Sequence, residues 1–248
     1  MDINYSKYLK ACNDAVNSEM DFATFRSDPH YAGVVETMAA YEWGIPYINL
    51  LRNKYPFLWD KIETFASGDK ICGAKCFDYK GVYISPVTLR YVKILADLLN
   101  EFNTLDNLDI VEIGVGYGGQ CKVIMDYAKV RSYTLVDLPD PLLLTEKWLE
   151  RNGIYLNVNF RSHLDKSNIE YDLCISNYAF TEFDGDIQEH YVNSILKKSK
   201  HGFIICNFFT GPDQGASVMS TLLGHKKGKF KIMDEIPRTD IHNFVYIW

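Results

Sequence analysis

The sequence predicts an α/β fold: a doubly wound, mostly parallel seven-stranded sheet that closes in a reversed hairpin, with a helical region ahead of it. Three observations carry this. Short β-branched runs alternate with helical stretches from Leu108 onward, a glycine-rich turn joins the first run to the next helix, and only residues 237–243 separate the last two runs. The chain has 248 residues, 47% of them hydrophobic and 23% charged, which suits one such domain with an appendage and excludes a wholly disordered chain.

Up to residue 84 the rhythm is helical and aromatic, as in YAGVVETMAAYEWGIPYINLLRNKYPFLWDKIETFA, punctuated by Gly44, Pro46 and Pro56. Tyr31, Tyr41, Trp43 and Tyr47 are most simply a core packed over the sheet edge; a lid and a homodimer surface are the functional readings of the same stripe. Residues 68–83, with Gly68, Gly73 and Gly81 beside Cys72 and Cys76, read as a loop. Ser85 then caps and Pro86 opens a helix with apolar positions at Leu89, Val92, Leu95, Leu98 and Leu99. The junction falls there, between a helical N-terminal cap (residues 1–84) and the sheet domain (residues 85–248). Strands are expected at 109–113, 132–136, 155–160, 171–176, 202–208, 230–236 and 244–248. Strand–helix–strand repetition implies parallel pairing with right-handed crossovers, whereas the seven residues between the last two strands are too few for a crossover and force them antiparallel.

Charge and cysteine usage exclude several functions. Lys and Arg number 26 against 32 Asp and Glu, a formal net charge of −6, so the summed field repels polyanions and nucleic acid is a poor partner. The short basic runs at 197–200 and 226–231 lie beside apolar residues and read as solvated element ends. The start MDINYSKYLK has no apolar leader core, and no window approaches the ~18 apolar residues of a membrane span, so a cytoplasmic protein is expected. Cys12, Cys121, Cys174 and Cys206 sit singly in apolar runs, as buried thiols do. Cys72 and Cys76 alone are close, and they lack the four ligands of a structural zinc site; no metal is expected.

The chemistry concentrates in IVEIGVGYGGQ. Gly114, Gly116, Gly118 and Gly119 lie between a strand and a helix, where glycines allow a tight turn and bring backbone amides against a ligand at the helix N-terminus. Asp137 ends the next strand, 23 positions after Gly114, where a carboxylate can accept hydrogen bonds from both ribose hydroxyls. Glu112, two residues before Gly114, puts an acid near a cationic amino acid moiety. Together with the terminal hairpin it favours S-adenosylmethionine over NAD. The structural readings are that Glu112 caps the loop amides and that Asp137 forms the turn in DLPDP.

The ordered set SPVTLRY, VEIGVGYGGQ, LVDLPD and YDLCISNYAFTEF, followed by Gln188, Tyr191 and GFIICNF, resembles the bacterial sugar O-methyltransferases of surface-polysaccharide gene clusters. That family belongs to the Rossmann-like, seven-stranded class I S-adenosylmethionine-dependent methyltransferases. The resemblance spans roughly residues 83–208 and is looser in DPHYAGVVETMAAYEWGIPYINLL. It implies that Gly114, Gly116 and Gly118 line the methionine and ribose, that Asp137 holds the ribose hydroxyls and that Leu138 packs on adenine. Arg161, Ser162 and His163 occupy the positions after the third strand that meet the adenine edge.

Ligands of open parallel sheets bind beyond the carboxyl ends of the strands. That edge receives Asn177 and Tyr178, assigned to the cofactor, and Thr181, Glu182 and Asn207 on the acceptor side. Methyl transfer to a hydroxyl needs the oxygen aligned and its proton removed. Glu182 is the first candidate base, its structural reading being the first turn of a helix from Asp186 onward. His190 is the second candidate, with a surface helix position as its structural reading; His163 lies nearer the cofactor. Arg90 is a candidate for a cofactor carboxylate or an acceptor phosphate and Lys122 for the acceptor's phosphates, although a surface helix arginine explains Arg90 equally. The leading expectation is methylation of a sugar hydroxyl on a small-molecule or glycan-precursor substrate. Its competitors are a phosphate-derived or other small polar acceptor, a nicotinamide-dependent oxidoreductase, and a non-catalytic cofactor-binding partner.

Overall fold

The computed structural model describes residues 3–165, 168–207, 221–222, 224–225 and 230–248. In chain order the helices are α1 (Ile3–Asn17), α2 (Glu19–Phe22), α3 (Pro29–Ala32), α4 (Tyr41–Lys54), α5 (Pro56–Trp59), α6 (Ile62–Ala66), α7 (Pro86–Phe102), α8 (Gly119–Tyr127), α9 (Pro139–Arg151) and α10 (Gly185–Ser194). The strands are β1 (Phe77–Tyr79), β2 (Val82–Ile84), β3 (Asp109–Ile113), β4 (Ser132–Asp137), β5 (Val158–Ser162), β6 (Tyr171–Asn177), β7 (Ser199–Cys206), β8 (Lys231–Asp234) and β9 (Phe244–Ile247). The chain forms two compact units: residues 1–105, 115–129 and 138–156, and residues 106–114, 130–137 and 157–248. Ser85, where the sequence places its junction, lies inside the first unit.

The second unit is the seven-stranded sheet, in the order β5-β4-β3-β6-β7-β9-β8. Pairing is parallel from β5 through β7, and β9 runs antiparallel to both β7 and β8. This is the strand order of the Rossmann-like class I methyltransferase fold. Its central strands are buried along almost their whole length, as strands covered on both faces are. Tyr191 and Val192 of α10, with Ile195 just after it, join Val111, Ile113 and Ile204 of the sheet in one buried cluster. The order of strands reverses between β3 and β6, the switch point at which such sheets bind ligands.

Two strands start away from expectation: β7 begins at Ser199, three residues before the expected 202, and β5 begins at Val158. Residues 155–157 are outside β5, because Tyr155 and Leu156 are 66% and 69% exposed and Asn157 takes a left-handed φ of 62°, which breaks an extended run. The expected end of the fifth sequence strand at Phe208, and residues 226–229 of the basic run, lie outside the described residues.

In the first unit, Ser85 Oγ accepts the Val87 amide at 3.2 Å and Pro86 opens α7 as expected. The stretch read as a loop at 68–83 instead carries the antiparallel β1–β2 hairpin. Its turn places Lys80 and Gly81 at positive φ, the type of two-residue turn whose twist matches paired strands, and Asp78 Oδ1 accepts the Gly81 amide at 2.9 Å. Tyr31 and Tyr47 are buried, whereas Tyr41 and Trp43 keep exposed faces; Tyr41 stacks on Tyr79 at 4.9 Å.

Candidate active site

The parallel register brings the ends of five strands to one edge. Val136 pairs with Ile113, Asp137 with Ser162, and Asn177 with Ile205. At its centre Gly114 leaves β3 with φ 74°, donating its amide to Val136 O at 2.9 Å. A Cβ there would lie 2.1 Å from Ala179 Cβ, so only glycine admits the loop that follows β6. That loop is pinned by Ser176, whose hydroxyl donates to Ile113 O at 2.9 Å and accepts the Phe180 amide at 3.2 Å. In the first unit, Gly116 and Gly118 also take positive φ, and Thr145 Oγ1 donates to Gly116 O at 3.1 Å. Gly118 is the N-cap of α8 and offers no side-chain cap.

Glu112 is 2% exposed and accepts one hydrogen bond, from the Tyr133 hydroxyl at 2.7 Å. Burial pushes its carboxyl up to about 8; the Tyr133 bond opposes this, and the nearby Asp137 charge adds to it. Tyr133 escaped the sequence reading, although parallel register alone puts Tyr133, Leu135 and Asp137 on the face that Glu112 shares. Asp137 is half-buried at the end of β4, and its carbonyl accepts the His163 amide at 3.0 Å. Leu138, extended and half-buried, precedes Pro139 as the N-cap of α9.

Past β5, Ser162 and His163 are half-buried with Ser162 Oγ 3.5 Å from His163 Nδ1. Desolvation, then the charge of His190, lower the His163 pKa, so the two histidines are within electrostatic reach. Arg161 is committed elsewhere, donating to the Tyr171 hydroxyl at 2.6 Å and to Asp165 O at 3.0 Å, which removes it from the adenine-edge set.

Past β6, Tyr178 holds a strained left-handed φ of 67° and donates its hydroxyl to Glu235. Glu235 is buried and also accepts from the Thr239 amide at 3.0 Å and Asn243 Nδ2 at 3.2 Å. No spacing signal could pair residues 57 positions apart. Thr181, expected on the acceptor side, is buried and bridges two loops. It is 1% exposed, and its hydroxyl donates to Tyr178 O at 3.0 Å and accepts the Asn207 amide at 3.0 Å, tying the loops after β6 and β7 together.

Glu182 is not in the first turn of α10, which begins at Gly185. It ends a short 3₁₀ turn, Phe180–Glu182, and accepts from Asn207 Nδ2 at 3.3 Å. Desolvation raises its carboxyl above the ordinary range, and the Asn207 bond opposes the rise. His190 is half-buried on α10, and its Nε2 has no hydrogen-bond partner among the described residues.

Two candidates in the first unit change character. Arg90 is buried on α7, not a surface helix residue, with its guanidinium 5.8 Å from the Tyr91 ring centroid. Lys122 is buried and ion-paired to Asp126 at 2.5 Å, also donating to Thr64 O at 3.3 Å. Among the described residues no group of three or more His, Cys, Asp or Glu could hold a metal ion, and no helix is long and apolar enough to cross a membrane.

Within the second unit the donor set suits a nucleoside cofactor with a cationic end: a glycine where a Cβ would clash, a carboxylate ending β4 and a buried acid one residue before the end of β3. No family model and no curated protein matches the sequence. Solved structures similar to the chain include an S-adenosylmethionine-dependent methyltransferase from Clostridium acetobutylicum, 13% identical, with a TM-score of 0.49 over 79% of this chain and 97% of that one. An rRNA methylase from Streptococcus thermophilus is 15% identical, with a TM-score of 0.48 over 64% and 95%. A Streptococcus mutans protein in complex with SAH is 15% identical, with a TM-score of 0.45 over 64% and 96%. At these scores the fold rests on the strand order itself.

Proposed function

We propose that the chain is an S-adenosylmethionine-dependent O-methyltransferase whose acceptor is a sugar hydroxyl on a precursor of a bacterial surface polysaccharide. One observation carries the cofactor: a glycine turn after the central strand is paired with a carboxylate ending the next strand, in a sheet whose last strand is antiparallel. A dinucleotide-binding sheet of the nicotinamide enzymes is parallel throughout, which disfavours an oxidoreductase. Gly114, Gly116 and Gly118 would let the backbone approach the cofactor, Asp137 would accept its ribose hydroxyls, and Glu112 would face its ammonium group. Leu138 would pack on adenine, Ser162 and His163 would meet the adenine edge, and Asn177 and Tyr178 would close the methionine side. When bound, this cofactor supplies a methyl group on a sulfonium.

Glu182 takes the proton of the acceptor hydroxyl as the oxygen is methylated. A carboxyl raised by desolvation holds that proton better than an ordinary carboxylate, as a general base requires. Asn207, which donates to Glu182, orients it. His190, with an uncommitted ring nitrogen, is the alternative base. Asn207 and Arg90 are the acceptor-binding residues. The sugar rests on the family resemblance and on this polar set, which suits hydroxyl-rich ligands.

The test is a methyl-transfer assay across nucleotide sugars, free sugars, phosphorylated small molecules and RNA, with wild type and Glu182→Gln. Glu182→Gln should lower turnover by roughly 100-fold while cofactor affinity is unchanged. A wild-type rate in that variant moves the base to His190. Activity on RNA in preference to every glycan precursor removes the sugar.

A further inference from the structure

We infer that a buried ionic cluster, Arg26 with Glu36 and Asp69, is a positioning device for the glycine loop, holding Tyr117 and its flanking glycines in the conformation that receives the cofactor. The inference rests on the cofactor reading above. Arg26 Nε and Nη2 donate to the two Glu36 oxygens at 2.6 and 3.3 Å, a bidentate pair, and Nη1 donates to Asp69 Oδ1 at 2.7 Å. The Asp69 carboxylate also accepts the Ser85 amide at 2.9 Å and the Thr88 hydroxyl at 2.6 Å, which ties the cluster to the start of α7.

This cluster touches the glycine loop at two successive residues. The Arg26 guanidinium carbon lies 4.4 Å from the ring centroid of Tyr117, the residue between Gly116 and Gly118. Tyr117 is buried and meets Trp148 edge to face at 4.7 Å, so its ring is an anchor and not a ligand contact. Val35, next to Glu36, places Cγ1 3.2 Å from where a Gly116 Cβ would stand.

The physical need follows from the glycines. A loop with positive φ at residues 116 and 118 has large backbone freedom to lose on binding, and an anchored residue between them removes that cost beforehand. A buried ion cluster is poor value for stability alone, since well-packed apolar groups do as well; its fixed geometry is what an apolar core lacks. The planar fork of arginine matches both the bidentate acid and the ring face, which lysine cannot do at once.

Calorimetric titration with S-adenosylhomocysteine tests this on the intact chain, using Tyr117→Phe, Tyr117→Leu, Arg26→Lys and a distant destabilised control, Val245→Ala in β9. Melting temperatures are measured on the same samples. Tyr117→Phe keeps the ring face and should bind within about twofold of wild type, whereas Tyr117→Leu and Arg26→Lys should bind about tenfold more weakly or worse. Val245→Ala should bind like wild type even where its melting temperature falls as far. Should Arg26→Lys not fold, Tyr117→Leu against Tyr117→Phe decides alone. Wild-type affinity in the folded Leu or Lys variants, or losses that only track melting temperature as in the control, overturn the inference. A folded wild type that binds no S-adenosylhomocysteine overturns the cofactor reading itself, a different result.

Discussion

Glu112 is an acid placed where burial makes its charge costly. Its carboxyl titrates near 8 in the folded chain, against an ordinary value of 4.5. Below 4.5 both folded and unfolded chains hold the proton, and no penalty exists. Between 4.5 and about 8 the unfolded chain ionises while the folded one does not, so stability falls as pH rises; above about 8 the loss is constant, of the order of a few kcal/mol. Glu112→Gln removes this titration. Denaturant melts of the ligand-free protein at pH 5 and pH 8 should show a smaller stability loss in Glu112→Gln than in wild type. Equal losses would mean that Glu112 is ionised or solvated in the folded chain. The same residue sets the limit of sequence reading at this scale: its place before Gly114 was legible from spacing, but its single partner, Tyr133, required the register of β3 on β4.

At the scale of elements, the glycine turn and the loop after β6 are built against each other. Gly114→Ala brings two penalties, a left-handed φ on a residue with a Cβ and a 2.1 Å approach to Ala179 Cβ. The expected cost is roughly 2–4 kcal/mol, measured by chemical denaturation. Adding Ala179→Gly should recover part of it by relieving the clash while leaving the backbone strain. No recovery would place the whole cost in the backbone. The glycine turn, the Ser85–Pro86 helix start and the reversed final hairpin were readable because each has a local chemical cause: φ freedom, a cap, and a connection too short to cross over. The start of β5 was not, since the left-handed Asn157 cuts Tyr155 and Leu156 off from the strand. The β1–β2 hairpin was hidden because glycines in a short segment signal a loop and a tight turn alike. Thr181 and Lys122 read as ligand contacts by type, and the hydrogen bonds and ion pair that they make within the fold have no signal in the spacing.

For the whole molecule, the groups that distance in sequence conceals are the buried polar ones. Arg26, Glu36 and Asp69 come from three separate stretches of the first unit, and Tyr178 meets Glu235 from the far end of the second. Periodicity and motif spacing carry no information about such pairs. The acidic balance of the chain, −6, was informative at this scale, as it argues against a phosphate-rich acceptor without naming the acceptor that is used. The central claim is that the glycine turn and Asp137 hold S-adenosylmethionine. Titration calorimetry of wild type and Asp137→Ala with S-adenosylhomocysteine and with NAD tests it most directly. Wild type should bind S-adenosylhomocysteine and not NAD, and Asp137→Ala should lose about 1.5–3 kcal/mol of that affinity through the missing charge-assisted bonds to ribose. Binding of NAD in place of S-adenosylhomocysteine, or unchanged affinity in Asp137→Ala, would contradict it.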